Sequence, residues 1–237
     1  MYNDSNSYSY NDSSAAGLSW SEYQTGTFRW MTIGLAVTFG LAYLTAHVPA
    51  LFSAAYSLFL PISIAELVLV GILSARVQTM QVSTARGLFL GYSALNGLVF
   101  SMYFIVFDVS TLMMAFLAAA VYFGLSAVYG ARTEKDLTAW GPRLMIGLVA
   151  MIVCSVIGML FGFGFAGSLL YCGVGVLLFM LLTAYDTQKL QQYYYYYAND
   201  EEMAEKSSIY GALSLYLDFI NIFLYLVRIF GRSRRSN

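Results

Sequence analysis

The feature that most constrains the fold is a succession of long apolar segments, each separated from the next by a short polar connection. They lie at about 28–48, 58–77, 86–107, 110–130, 140–162, 167–189 and 208–230. A helix needs about 20 apolar residues to cross the hydrocarbon layer, where every backbone polar group must be bonded within a helix or a closed barrel. Because the segments are long and do not alternate in polarity, the sequence predicts an all-α integral membrane protein with seven transmembrane helices.

Composition supports this class and excludes others. Hydrophobic residues make up 59% of the 237 residues and charged residues 11%, whereas soluble domains average about 25% charged residues. A net charge of −1 provides no basic surface for nucleic acid. One histidine and two cysteines give no pattern for a zinc site or a disulfide framework. We therefore expect neither a cofactor nor a nucleic-acid partner.

Polar segments flank the predicted transmembrane domain, which covers residues 28–231. Residues 1–27 are rich in Ser, Asn, Tyr and Asp, which predicts a disordered polar tail, and residues 232–237 form a basic C-terminal tail. The sixth connection contains a tyrosine run at 193–197 and a cluster of acids. We interpret it as an interfacial aromatic belt beside a solvated loop, with weak attraction of cations as the alternative.

The distribution of Lys and Arg predicts the orientation of the helices. Eight of the twelve fall on the N-terminal side of the membrane, and none falls on the three connections of the opposite side. Since short cytoplasmic loops are enriched in Lys and Arg, the N-terminus is predicted to be cytoplasmic. The C-terminal tail is the exception, because a seventh crossing places its arginines outside: Arg228, Arg232, Arg234 and Arg235.

Two acids lie where acids are rare. Asp186 is near the end of the sixth apolar segment, and Asp218 is inside the seventh. An ionised carboxylate in hydrocarbon costs at least ~3 kcal/mol, so an intramembrane acid is read as a functional residue with a partner. Both acids belong near the cytoplasmic side and meet if their helices tilt together. Two adjacent carboxylates in a poorly hydrated place tend to share one proton, which predicts a proton sensor.

The seventh segment also carries a polar stripe. Its non-aliphatic residues recur in steps of three and four, so they share one helical face. This face is expected to point toward the interior of the bundle or line a water-filled pathway. For its small residues, hydrogen bonding between helices is the ordinary alternative. The stripe consists of Gly211, Ser214, Asp218, Asn221, Tyr225 and Arg228.

Oxygen-bearing residues elsewhere suggest a cation pathway. Glu66 lies inside the second segment, and Asn96 lies in the third, one turn after Tyr92. Together with Ser214 and Asn221 they are candidate stations for a hard ion, which takes oxygen ligands. Calcium is the candidate ion, with the two aspartates as its ligands.

A positive partner for the aspartates is also predicted. Arg76, at the inner end of the second segment, is the candidate for a charged clasp on an ionised carboxylate, with Arg86 as its rival. The alternative is that both arginines anchor helix ends by extending to the interface.

The stretches LTAYDTQKL (182–190) and YGALSLYLDFINIFLYLVRIFG (210–231) resemble the most characteristic segments of the Bax inhibitor-1 family, also called the transmembrane Bax inhibitor motif family, in its bacterial form. Weaker similarity runs from 75 through 141, so that the resemblance covers about 28–231. The resemblance implies a multi-pass protein of the plasma (inner) membrane, with the seventh helix at the centre of the bundle. It also implies a calcium leak that responds to pH.

The resemblance further implies roles for individual residues. It makes Asp186 and Asp218 the di-aspartyl sensor, and Glu66 an acid of the conducting path. An arginine of the second helix latches onto the sensor in the family. That arginine lies about one residue further from the acid than Arg76 does from Glu66, and Val77 occupies the position here.

Other functions for a pair of intramembrane aspartates fit less well. Tyr185–Asp186 resembles half of the motif of a di-aspartyl protease, but Leu215-Tyr216-Leu217-Asp218 lacks the Gly-x-Gly-Asp of the other half. A retinal protein needs a lysine in its last helix, and 208–230 contains none. We therefore expect no enzyme. The serious alternative is a non-conducting regulator that binds a membrane protease or a stress-response partner. The other expected partners are the lipid bilayer, calcium ions and protons.

Overall fold

The computed structural model describes residues 19–162, 168–197 and 199–235. Within these ranges the chain is helical and contains no β-strand. Residues 1–18, most of the expected polar tail, lie outside the described residues, as do 236 and 237. The helices are α1 (Trp20–His47), α2 (Pro49–Ser57), α3 (Phe59–Arg76), α4 (Val82–Val106), α5 (Val109–Arg132), α6 (Gly141–Leu160), α7 (Leu169–Tyr197) and α8 (Glu201–Arg235), and a 3-10 turn, Thr138–Trp140, precedes α6.

Seven of the described helices are long and apolar enough to cross a membrane, which confirms the predicted fold class. The exception is α2, whose nine residues are too few. It occupies the connection expected between the first and second spans. Pro49 begins it, at a helix position where the missing backbone N–H has no cost.

Three helices, α1, α7 and α8, extend well beyond the predicted bounds. The first was expected to begin near residue 28, but α1 begins at Trp20 because Ser19 and Glu22 form a reciprocal cap. The Ser19 amide donates to the Glu22 carboxylate at 2.9 Å, and the Glu22 amide donates to the Ser19 hydroxyl at 3.3 Å. Helix α7 extends at its C-terminal end, where the tyrosine run 193–197 forms its last turns and is not part of a loop. Tyr194 packs there against the ring of Trp20, with centroids 5.3 Å apart.

The seventh span lies at the centre of the bundle, as predicted. Of its most apolar window 61% of the residues are buried, compared with 39% or less for the other spans. It contacts α1, α4, α5 and α7. A helix packed on several sides by other helices can carry polar side chains without exposing them to lipid. Helix α8 can therefore contribute polar residues to a buried functional site.

One end of the bundle collects most of the basic residues. Arg86, near the start of α4, forms an ion pair with Glu205, near the start of α8. Gln191, near the end of α7, donates to the Ala131 carbonyl of α5 at 3.0 Å, so the α5–α6 loop lies at the same end. We call this the basic end: the start of α1, the α3–α4 turn, the α5–α6 loop and the α7–α8 connection.

Candidate functional site

The structure brings the two predicted sensor residues together between α7 and α8. Asp218 is only 4% exposed, and its Oδ2 has no hydrogen-bond partner among the described residues. Asp186, on the facing side of α7, is half-buried and close enough to act electrostatically on Asp218. Two carboxyl groups in such surroundings cannot both be ionised at low cost.

Thr183 supplies a third oxygen to this pair. It lies one turn before Asp186 on α7, and its hydroxyl lies beside the Asp218 carboxyl. The hydroxyl donates its hydrogen to the Phe179 carbonyl at 2.7 Å, so its oxygen keeps lone pairs that can accept a hydrogen bond. A protonated Asp218 can therefore donate to Thr183, whereas an ionised Asp218 cannot.

Lys189 is the cation nearest to the pair along α7. It lies one turn beyond Asp186 and acts electrostatically on it. Its ammonium lies 5.5 Å from the ring centroids of both Tyr185 and Tyr193, within the range of a cation–π contact. The three-residue spacing from Asp186 predicts that Lys189 lies one turn further on the same helical face, at the water boundary, but spacing alone gives it no electrostatic role.

The arginines considered as a clasp lie elsewhere. Arg76 is exposed at the end of α3 and takes part in neither of the two ion pairs found in the described part of the chain. Arg86 is engaged by Glu205 and lies over the Trp30 ring, 5.2 Å from its centroid. The next residue after Arg76, Val77, is the one that turns into the core. The Arg76 latch thus stays a prediction.

Glu66 belongs to a second polar cluster, formed by α1, α3, α4 and α8. Its half-buried carboxyl has one oxygen without a hydrogen-bond partner and acts electrostatically on Tyr92 and Tyr216. The Tyr216 hydroxyl lies 2.7 Å from the Thr38 hydroxyl. Asn96 joins this cluster, where its amide donates to the Tyr92 carbonyl at 3.3 Å.

The two clusters lie on different sides of α8. Tyr216 and Asp218 are two residues apart, which is a rotation of about 200° on a helix. Ser214 and Asn221 share the face of Asp218, and the Asn221 amide donates to the Leu217 carbonyl at 2.8 Å. The predicted pathway residues are therefore divided by the central helix, with Glu66 and Asn96 on one side.

The arrangement does not form a closed metal cage. Among the described residues, no group of three or more His, Cys, Asp and Glu side chains lies together. Calcium takes about six to eight oxygen ligands, so a calcium ion beside the two aspartates would keep water or take hydroxyl and carbonyl oxygens.

Comparison with known proteins identifies the family. The family profile described as "Inhibitor of apoptosis-promoting Bax1" matches residues 21–235. The chain belongs to the Bax inhibitor-1 family. The matched region extends from the first turn of α1 to the last residues of α8.

Several bacterial proteins are similar over nearly the whole length. An uncharacterised protein of Deinococcus radiodurans is 42% identical over 212 residues, which cover 90% of each chain. The inner membrane protein YbhL of Escherichia coli is 37% identical over 219 residues, or 90% of this chain and 92% of YbhL. A Borreliella burgdorferi protein is 34% identical over 216 residues, or 88% of this chain and 91% of the relative. The Bax inhibitor-1 assignment therefore covers both polar clusters.

Proposed function

We propose that this protein is a pH-sensitive cation leak, with calcium as the transported ion, and that a proton held jointly by Asp186 and Asp218 controls it. The observation that carries the proposal is the buried Asp218 carboxyl beside Asp186, with one oxygen unpartnered. Such a pair changes its charge by one unit when it gains or loses a proton. The pair needs no catalytic role in this proposal.

The change in charge is large enough to act as a switch. Two like charges about 4 Å apart repel by about 4 kcal/mol at an effective dielectric constant of about 20. Such an energy shifts a two-state equilibrium by about three orders of magnitude. Loss of the shared proton therefore separates α7 from α8 or draws in a cation. We expect calcium entry to rise as the pH rises.

We also infer the location and the orientation of the protein in the membrane. A multi-pass location in the inner membrane is supported by the seven candidate spans and by the name of the YbhL relative. The basic end is proposed to face the cytoplasm, because Lys and Arg accumulate in short cytoplasmic loops. In that orientation, the shared proton is exchanged with the cytoplasm through the half-buried Asp186.

Calcium flux into liposomes tests the function. Purified protein in calcium-free liposomes should admit calcium, read by an enclosed fluorescent indicator, at a rate that depends on pH. Asp218→Asn should remove most of this pH dependence, because a single carboxyl remains where two shared a proton. Asp136→Asn, which changes an exposed acid in the α5–α6 loop, is the matched control and should keep the profile. Flux equal to that of empty liposomes at every pH rejects the leak.

A non-conducting regulator is the second candidate, and one observation favours it. Tyr195 and Tyr196 at the end of α7 are 76% and 81% exposed, although aromatic side chains of this size are common anchors of protein contacts. A membrane protease or a stress-response protein would be the partner. If flux is absent, crosslinking through a photoreactive amino acid at Tyr196 should capture a membrane protein, and Tyr122, exposed at mid-span of α5, is the control position.

A further inference from the structure

A groove between α5 and α7 runs from the basic end into the membrane. The two helices touch at Gly130, where any side chain would meet the Ala184 backbone. Beside this contact lies a cavity of about 190 Å³, whose lining includes Tyr129, Lys135 and Trp140. The α5–α6 loop supplies Lys135, so the cavity opens at the membrane boundary.

The cavity continues into an apolar groove. A second space of about 360 Å³ shares Tyr129, Leu181 and Ala184 with the first, and its lining also includes Leu125 and Leu177. Leu125 lies seven residues before the end of α5, which places it about 10 Å deeper in the membrane. The two spaces therefore form one elongated site with a polar mouth and an apolar body.

Charge and aromatic content of the mouth fit an anionic amphiphile. Three basic residues against two acidic ones lie between 132 and 143. One acid, Asp136, is engaged locally, because it accepts the Thr138 amide at 2.8 Å, and hydrogen bonds from the Thr138 side chain and amide lower its pKa. Arg143 lies over the Trp140 ring, 5.8 Å from its centroid. Basic pockets between transmembrane helices, flanked by aromatic residues at the interface, suit the phosphate of a lipid headgroup.

We propose that this groove binds one anionic phospholipid. Its phosphate lies at Lys135, within reach of the Trp140 indole N–H, and one acyl chain lies along Leu181 and Leu177. A lipid fits better than a protein helix, because the site joins a charged mouth to an apolar body at the depth where lipids present those two parts. The proposal rests on the groove alone and does not depend on the calcium leak.

The site also touches the sensor. Tyr185 lines the cavity, is the neighbour of Asp186 in sequence, and holds the Lys189 ammonium against its ring. An occupying lipid therefore contacts the aromatic ring that positions the cation nearest to Asp186.

Tryptophan fluorescence tests lipid binding at this site. Trp20→Phe with Trp30→Phe leaves Trp140, which lines the mouth, as the reporter. The protein is placed in phosphatidylcholine vesicles that contain a small, equal mole fraction of either phosphatidylglycerol or phosphatidylcholine with brominated acyl chains. We expect brominated phosphatidylglycerol to quench Trp140 severalfold more strongly, because enrichment in the groove brings its chain to the indole.

Two charge variants make the test specific. Lys135→Gln should abolish the preference for phosphatidylglycerol, since it removes the cation at the mouth. Arg29→Gln removes an exposed basic residue of α1 and should leave the preference unchanged. Equal quenching by the two brominated lipids overturns the proposal, and so does a preference that survives in Lys135→Gln.

Discussion

At the scale of single residues, neighbours determine what the two aspartates can do. The Thr183 oxygen can accept a hydrogen bond from a protonated Asp218, because its own hydrogen is donated to the Phe179 carbonyl, and it thereby favours the protonated pair. Lys189 carries a positive charge one turn from Asp186 and favours the ionised pair. The balance of these opposing neighbours, and not either acid alone, is expected to set the pH response.

Lys189 offers a direct test of that balance. Lys189→Gln should move the calcium-entry profile toward higher pH, by up to about one unit, because each unit corresponds to about 1.4 kcal/mol of lost stabilisation of the ionised pair. The measurement is liposome flux across a pH series. Arg29→Gln, a loss of the same charge on the exposed surface of α1, should leave the profile in place. A profile that moves to lower pH would show that Lys189 does not act on the pair in this way.

Thr183 gives the opposite expectation. Thr183→Val keeps the shape of the side chain but removes the oxygen that can accept a hydrogen bond from a protonated Asp218, so the protonated pair loses a partner. Calcium entry should begin at lower pH than in the wild type. Thr187→Val one turn later, which removes a hydroxyl bonded to the Thr183 carbonyl, is the control. Equal shifts in the two variants would assign the effect to the helix and not to the pair.

The aspartates were predictable because a charged residue in an apolar segment is conspicuous, whereas an arginine partner for them was not. A helix turns by about 100° per residue. One position therefore decides whether Arg76 or Val77 faces inward, and the structure places Val77 in the core. Spacing reveals which residues share a face, but only packing reveals which face meets which helix. For the same reason, Glu66 was predicted as a pathway residue without its Tyr216 neighbour.

At the scale of helices, close contacts depend on residues without side chains. The α5–α7 contact at Gly130 leaves no room for a Cβ atom, as expected where small residues let membrane helices approach. By contrast, a Cβ atom added at Gly124 on the same helix meets nothing within 4 Å. Helix contacts of this kind explain why sequence predicted the spans well but could not pair them.

These two glycines form a matched pair of variants. Gly130→Ala should destabilise the protein by about 1–3 kcal/mol, because the new methyl group must push α5 away from α7. Gly124→Ala should be neutral or slightly stabilising, since alanine is the better helix former. Thermal unfolding in one detergent, followed by the loss of helical circular dichroism, compares them. Equal melting temperatures for the two variants would show that α5 and α7 can separate enough to accept the methyl group without loss of stability.

Helix ends were predicted less well than helix cores. The first span was expected from 28, but a capping box at Ser19 and Glu22 begins α1 eight residues earlier. Such a cap is short and polar, and within a Ser-rich tail it is indistinguishable from disorder by composition. The nine-residue α2 was missed because it is shorter than a span, and local helix signals are weak at that length.

At the scale of the whole molecule, the basic end predicts the orientation. In a background of Cys154→Ser and Cys172→Ser, a cysteine placed at Glu201 should react with a membrane-impermeant maleimide only after cells are permeabilised. A cysteine placed at His47, exposed at the opposite end of α1, should react in intact cells. Labelling of the Glu201 position in intact cells would reverse the proposed topology. The Arg86–Glu205 ion pair and the hydrogen bond from Gln191 to the Ala131 carbonyl hold these connections at one end of the bundle. We therefore expect all of them on the same side of the membrane.

The central position of α8 has a consequence for biogenesis. The ribosome completes this helix after α1–α7, yet α8 is the most buried span and packs against α1, α4, α5 and α7. Until translation reaches it, the earlier helices lack the core that fills their interior, and polar groups such as Thr38 and Thr183 lack their partners on α8. We therefore expect the nascent chain to stay incompletely packed until α8 is inserted, and a premature stop codon before α8 should send the chain to membrane quality control.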